Sequence, residues 1–353
     1  MAYTPINKSS DYFNTLLWTG NGVDNRSITG VGFQPDWTWI KSRSNTDYHM
    51  IADAVRGDNK QVKTNSTDDQ DSDTNKIKSF NSDGFTIGTG TVVNRSGATF
   101  VSWNLKANGT GSANTDGTIN STYTSANTTA GFSIVKYNGS GTAGTVGHGL
   151  GAVPKMIIIK EISGNASGGN QAWSVYHVAN GNTHVMNLNT TGAKVDDIDF
   201  NDTTPTSSVF SVGSQNRVNS GNGNGVYVAY CFAEKTGYSK FGSYVGNGNA
   251  NGAFIYTGFK PSFIMYKKSS GTGRWSMRDN KRDPFNVATK GLEANGSSTE
   301  NTGSNYWDLD MLSNGFKLRT TEQETNQSGQ TFIYMAFAEA PLVGSNNVPC
   351  TAR

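Results

Sequence analysis

Apolar positions in this chain come in short runs separated by stretches of Gly, Asn, Ser and Thr, and the runs recur in a fixed order. One run follows a proline: Gly32-Phe33-Gln34-Pro35-Asp36-Trp37-Thr38-Trp39-Ile40-Lys41, then Gly151-Ala152-Val153-Pro154-Lys155-Met156-Ile157-Ile158-Ile159-Lys160, then Gly258-Phe259-Lys260-Pro261-Ser262-Phe263-Ile264-Met265-Tyr266-Lys267. A second reads Ser82-Asp83-Gly84-Phe85-Thr86-Ile87, Ser207-Ser208-Val209-Phe210-Ser211-Val212 and Ser313-Asn314-Gly315-Phe316-Lys317-Leu318. A third closes each unit: Thr99-Phe100-Val101-Ser102-Trp103-Asn104-Leu105, Val226-Tyr227-Val228-Ala229-Tyr230-Cys231-Phe232-Ala233-Glu234 and Thr331-Phe332-Ile333-Tyr334-Met335-Ala336-Phe337-Ala338-Glu339. Short runs rich in aromatic and β-branched residues, bounded by Gly and Asn, predict strands. Three markers in one order predict three copies of one module.

The boundaries follow from the markers. Residues 1–107 form the first module, 131–234 the second and 235–343 the third, with a polar tail over 344–353. Residues 108–130 are almost purely Gly, Ser, Thr, Asn and Ala, which predicts a linker. Only Lys235-Thr236 separates the second module from the third, so these two should be rigidly coupled and the first looser. The fold class is all-β: three tandem antiparallel β-sandwich modules of the jelly-roll or lectin-like kind.

Composition narrows the function. Charged residues are 16% of the chain and the net charge is +2, with no Lys/Arg-rich run, so nucleic acid is not an expected partner. No apolar stretch approaches the ~20 residues of a membrane span, and no membrane insertion is expected. The N-terminus lacks the basic and apolar regions of a signal peptide. Of the two cysteines, Cys231 lies at a strand position and reads as a small buried residue, while Cys350 reads as a free thiol in the tail.

Candidate chemistry is sparse. Glycoside hydrolysis needs two carboxylates facing one bond. Glu322 and Glu324 have the spacing of a pair but lie in a polar stretch that reads as a solvated turn. Asp68, Asp69, Asp71 and Asp73 alternate oxygen ligands as calcium sites do, and are the candidate metal residues. Neither they nor Asp196, Asp197, Asp199 and Asp202 match an EF-hand loop, and a solvated charge cluster is the plainer reading. No other cofactor is implied. The histidines show no zinc spacing; His49 and His177 read as packing at a sheet edge. Trp173 and Trp275 recur at one strand position and are predicted core residues. Trp307, Tyr306 and Trp18 are the candidates for presenting flat apolar faces to sugar rings. The pairs Arg278-Asp279 and Arg282-Asp283 are expected to form surface ion pairs.

The openings Leu17-Trp18-Thr19-Gly20-Asn21-Gly22 and Tyr238-Ser239-Lys240-Phe241-Gly242-Ser243-Tyr244-Val245-Gly246-Asn247-Gly248, with the endings Tyr230-Cys231-Phe232-Ala233-Glu234 and Met335-Ala336-Phe337-Ala338-Glu339, resemble a family of marine tailed-phage structural or tail-fibre-like proteins with a repeated lectin-like β module. The resemblance spans Tyr12 to Val343 and carries over no catalytic residue. It implies a virion protein, assembled in the host cytoplasm and exposed on the particle exterior. The leading expectation is a non-enzymatic decoration or accessory protein attached to capsid or tail, with other virion proteins as partners and a homo-oligomer left open. The alternative is a tail-fibre-type adhesin for host surface carbohydrate, and the third is a polysaccharide-degrading tail enzyme.

Overall fold

The computed structural model describes residues 3–164, 170–220, 225–303 and 305–343; Cys350 and the polar tail lie outside the described residues. Antiparallel strands make up almost all of its regular structure. Each repeat builds one large sheet and packs a small one against it. In the first repeat the large sheet runs Phe13–Thr19, Thr99–Leu105, Trp37–Ser42, Met50–Asp53, Gly57–Val62, Asp71–Ser72. Ser239–Val245, Thr331–Pro341, Phe259–Lys268, Ser276–Asp279 and Leu292–Glu293 repeat that order in the third. The unit-closing strand is thus central in every case, flanked by the opening strand and the post-proline strand.

Residues 108–130 are not a linker. Ser112–Asn114 and Ser121–Asn127 are two further strands on the edge of the second large sheet, Ser121–Asn127 pairing with Phe132–Asn138. Ser112–Asn114 is the exposed edge, and Ser121–Asn127 beside it buries only the small polar Ser121, Thr124 and Ser125, so sequence polarity there cannot be told from a loop.

The apolar runs are apolar on both faces because each central strand is buried twice. One face of the first large sheet, with Ile40, Met50, Ala52 and Phe100, meets its own small sheet. The other, with Trp37, Trp39, Ile51 and Trp103, enters a core shared with Ile158, Tyr230 and Phe232 of the second repeat and Phe263, Met265 and Phe337 of the third. The first repeat is therefore not looser than the others; all three sheets turn one face to a common centre.

Contacts between repeats run head to tail and close. Gln70 N donates to Ile162 O at 3.1 Å, Lys194 N to Ser269 O at 2.9 Å, and Glu300 N to Arg43 O at 2.7 Å, joining first to second, second to third, and third back to first. Indoles follow suit: Trp173 Nε1 donates to Lys63 O and Trp275 Nε1 to Asn187 O, both at 3.0 Å. His49 takes the corresponding place in the first repeat, where Trp39 Nε1 donates to its Nδ1 at 2.8 Å. Both Trp173 and Trp275 are buried, as their recurrence predicts.

Two repeated polar residues hold this arrangement. Asn94, Asn219 and Asn326, all buried, each end a one-turn helix and pin the loop after the opening strand. Asn326 Nδ2 donates to Thr320 O and Asn249 O, both at 2.8 Å, and its Oδ1 accepts from Asn247 N at 2.9 Å. The loop comes so close that a Cβ on Gly246 would lie 2.3 Å from Gln327 O. Asn326→Ala should cost about 1–3 kcal/mol in urea unfolding, because buried backbone groups lose their partners; an unchanged midpoint would refute the role.

Lys41, Lys160 and Lys267 are the second set, fully buried at equivalent positions. Lys160 Nζ donates to Glu161 O and, across the junction, to Thr67 O; Lys267 Nζ donates to Lys268 O and to Thr191 O of the preceding repeat. Burial pushes the amines of Lys41 and Lys160 down to about 8, and burial with the neighbouring Lys268 charge takes Lys267 to about 7. An unfolded lysine keeps its proton to about pH 10.4. Between pH 7 and about 9, below the range where unfolded tyrosines ionise, the unfolded chain therefore binds more protons at these lysines, and folding stability should rise with pH. Urea midpoints at pH 7 and 9 test this: the wild type should gain, and Lys267→Met should gain less. Equal slopes would show that Lys267 does not titrate in this window.

Candidate functional site

Most of the residues singled out by sequence prove structural. Trp307 is only 1% exposed. Its ring fills the space beside Gly291, where a Cβ would fall 1.6 Å from Cε3, and Arg278 lies over it at 5.6 Å. Trp18 is buried too, stacked on Phe100 at 5.5 Å with Nε1 donating to Val93 O. Neither can present a face to a sugar; large rings are drawn into sandwich cores by the area they bury.

The acidic loop pairs its carboxylates mainly within the first repeat, and its backbone meets the second through Gln70 N and Thr67 O. Asp68 pairs with Lys63 at 2.7 Å, Asp71 and Asp73 pair with Lys76 at 2.9 and 3.6 Å, and Asp69 lies in the field of Lys160. Hydrogen bonding to Lys63 holds the Asp68 carboxyl below its ordinary value. Among the described residues no three His, Cys, Asp or Glu side chains gather as a metal site would need.

The four residues expected to form surface ion pairs are buried and pair differently: Asp279 takes Arg282 instead of Arg278, and Asp283 faces Lys290 at 3.9 Å. Asp279 and Arg282 are 1% and 2% exposed, and pair at 2.5 Å. Trp103 Nε1 of the first repeat donates to the same carboxylate at 3.1 Å. The first repeat offers Asp53 and Arg56 to Tyr230 of the second in the same way. The second offers His177, whose Nε2 lies 3.1 Å from Tyr334 O of the third. His49 and His177 are thus buried at junctions, with burial holding His177 down near 4.

Tyr306 alone of the three aromatic candidates keeps its surface, 37% exposed, edge-on to Trp307 with ring centres 5.6 Å apart. It borders an open cleft lined by Arg274, Glu293 and the 298–303 loop. Arg274 sits beside the Tyr306 hydroxyl and between two carboxylates, 3.2 Å from Glu293 and 3.5 Å from Glu324. Burial raises the Glu293 carboxyl above its ordinary value against the pull of Arg274, and Glu324 adds to the rise. The loop is anchored from below: Glu300 makes a two-pronged bond to Arg43 at 2.8 and 2.9 Å and meets Arg282 at 3.2 Å. Asn301 and Gly291 exchange backbone bonds at 2.9 and 3.0 Å.

Chemically this is a preorganised polar surface with one aromatic ring. Glu324, part of the acidic pair noted in sequence, does meet a second carboxylate, but that partner is Glu293 and both are tied to Arg274. Sequence reasoning passed over Arg274 and Glu293. The signal lay in the repeats: these positions are Tyr48 and Lys63 in the first and Ala172 and Asn187 in the second.

No helix among the described residues is long and apolar enough to cross a membrane. A family model described as "Domain of unknown function (DUF7483)" matches residues 8–341. No curated protein and no solved structure matches the chain.

Proposed function

The chain belongs to the DUF7483 family, whose function is unknown, and we propose that it is a non-enzymatic structural protein of a tailed-phage virion exterior, a decoration or accessory protein seated on capsid or tail. The observation that carries the structural part is the shared core: three sheets spend their most apolar faces on one another and yield a single body. The buried charged groups at the junctions, which in an enzyme would be candidates for catalysis, are committed to partners across repeats. The virion part rests on the resemblance of the opening and closing strands.

Co-sedimentation tests the reading. Purified protein should pellet saturably with empty capsids or tails and set a copy number. Pelleting with host cells alone would overturn decoration in favour of adhesion to host carbohydrate, the reading that the Tyr306 cleft favours. A polysaccharide-degrading activity would require Glu293 and Glu324 to act apart from Arg274; host capsular polysaccharide should stay intact on prolonged incubation, and its cleavage would overturn the non-enzymatic reading.

A further inference from the structure

We propose that the outer edge of the third repeat's small sheet, the strand Phe254–Tyr256, pairs with the same strand of a second copy of this chain, so that two molecules share one continuous sheet. The strand stands at the end of a three-stranded sheet and is bonded on one side to Gly315–Leu318. Leu318 N donates to Ala253 O at 3.1 Å and Thr257 N to Asn314 O at 3.0 Å, so the residues bonded to that neighbour are 253, 255 and 257. An antiparallel ladder alternates, and the N–H and C=O groups of Phe254 and Tyr256 therefore point the other way. Among the described residues no strand takes them up. The two side chains are outside as well: Phe254 is 46% exposed and Tyr256 54%, with Ile255 buried between them.

The other two repeats show how this fold treats the same edge. In the second, Thr145 and Gly147 hold the places of Phe254 and Tyr256, as the registers Val146 to Phe210 and Ile255 to Phe316 align them. That edge is covered by an extended segment. Ile119 N donates to Thr145 O and Thr145 N donates to Thr118 Oγ1, both at 2.9 Å. Asn114 comes so near Gly147 that a Cβ there would fall 1.8 Å from its Oδ1. In the first repeat the two places are Ser27 and Thr29, with Arg26 before them. Polar side chains and a charge guard an edge against pairing. The third repeat has neither cover nor guard: Ala253-Phe254-Ile255-Tyr256-Thr257 holds no charge and no proline.

This selects the partner. A strand kept for a different protein needs protection against its own kind, and this one has none. It is also complementary to itself. A two-fold axis through Ile255 sets Phe254 of each copy opposite Tyr256 of the other, and each opposed pair exchanges both of its backbone bonds. The rings then lie side by side on one face, in the cross-strand aromatic contact that stabilises antiparallel sheets. Such an interface is isologous and closes at two copies. It is small, so association is weak and depends on concentration.

Sedimentation equilibrium of the purified full chain, without capsids, tails or cells, tests this separately from any mounting on a particle. The apparent mass should climb from 37.8 kDa toward twice that value as concentration rises. Phe254→Ser with Tyr256→Thr copies the edge of the first repeat. This double variant should weaken association about tenfold or more, because two aromatic cross-strand pairs are lost. A thermal melt matching wild type establishes that it is folded. Hydrogen exchange read by mass spectrometry reports the backbone bonds: the amides of Phe254 and Tyr256 should slow as concentration rises, and those of Ser27 and Thr29 should not. A wild type that stays monomeric throughout would overturn the proposal, whether the edge then stays free or takes a strand from another protein. So would a dimer that survives the double variant, or one that forms without slowing exchange at Phe254 and Tyr256.

Discussion

Phe337→Ala should remove about 3–5 kcal/mol of folding stability and should do so for the whole molecule at once. The ring stacks on Phe13 of the first repeat at 4.8 Å, faces Phe232 of the second at 6.3 Å, and touches Tyr238, Phe241 and Phe263 of its own repeat. Truncation forfeits the transfer free energy of a buried ring and leaves a void that three sheets cannot jointly collapse. Domains of this size have only about 5–15 kcal/mol to lose. Urea unfolding followed by tryptophan fluorescence and by far-ultraviolet circular dichroism should give coincident curves, shifted together. Separate transitions, with one third of the signal lost early, would mean that the repeats are independently stable and that the common core is a contact surface only. A loss under about 1 kcal/mol would say the same of this ring.

Asp279→Ala is expected to cost a similar amount, about 3–5 kcal/mol, for a different reason. The carboxylate accepts Arg282 Nε at 2.5 Å, Arg282 N at 2.8 Å and Trp103 Nε1 at 3.1 Å. Without it the buried guanidinium keeps only Glu300 and the Met277 carbonyl. The penalty is that of an uncompensated charge, so replacing Arg282 as well should recover part of it: Asp279→Ala with Arg282→Met should be more stable than Asp279→Ala alone. The second repeat supports this expectation, because it fills the same two places with His177 and Asn180, neither carrying a buried ion pair. A double variant no better than the single one would place the cost in the lost Trp103 bond and not in the charge.

The strands and their repetition were legible because burial on both faces forces apolar runs that no loop can imitate. Trp173 and Trp275 were legible for the same reason, as rings recurring at one strand position. Charge was not legible. Arg282 and Asp279 lie three residues apart in a polar segment, and nothing local says that another repeat's tryptophan covers them. Ser112–Asn114 and Ser121–Asn127 hid in a linker-like composition because the first is an exposed edge and the second buries only small Ser and Thr side chains. Trp307 sat among Ser and Asn, whereas its burial depends on Gly291, distant in sequence. For the candidate cleft, Tyr306 was visible as an aromatic in a polar loop. Arg274 and Glu293 emerge only when the three repeats are laid over one another and the differences are read instead of the likenesses.

The closed circuit of Gln70 to Ile162, Lys194 to Ser269 and Glu300 to Arg43 sets a limit on copy number. Each repeat offers one kind of edge and receives another, which is the heterologous contact of a cyclic trimer written into one polypeptide. In an open solenoid such edges can be extended indefinitely, and gaining or losing a unit lengthens or shortens the stack. Here a duplicated unit has no free edge to receive it, and a deleted one leaves two edges that no longer meet. Chains of this architecture are therefore expected to hold to three units or to multiples that close separately, with surface loops as the parts free to diverge.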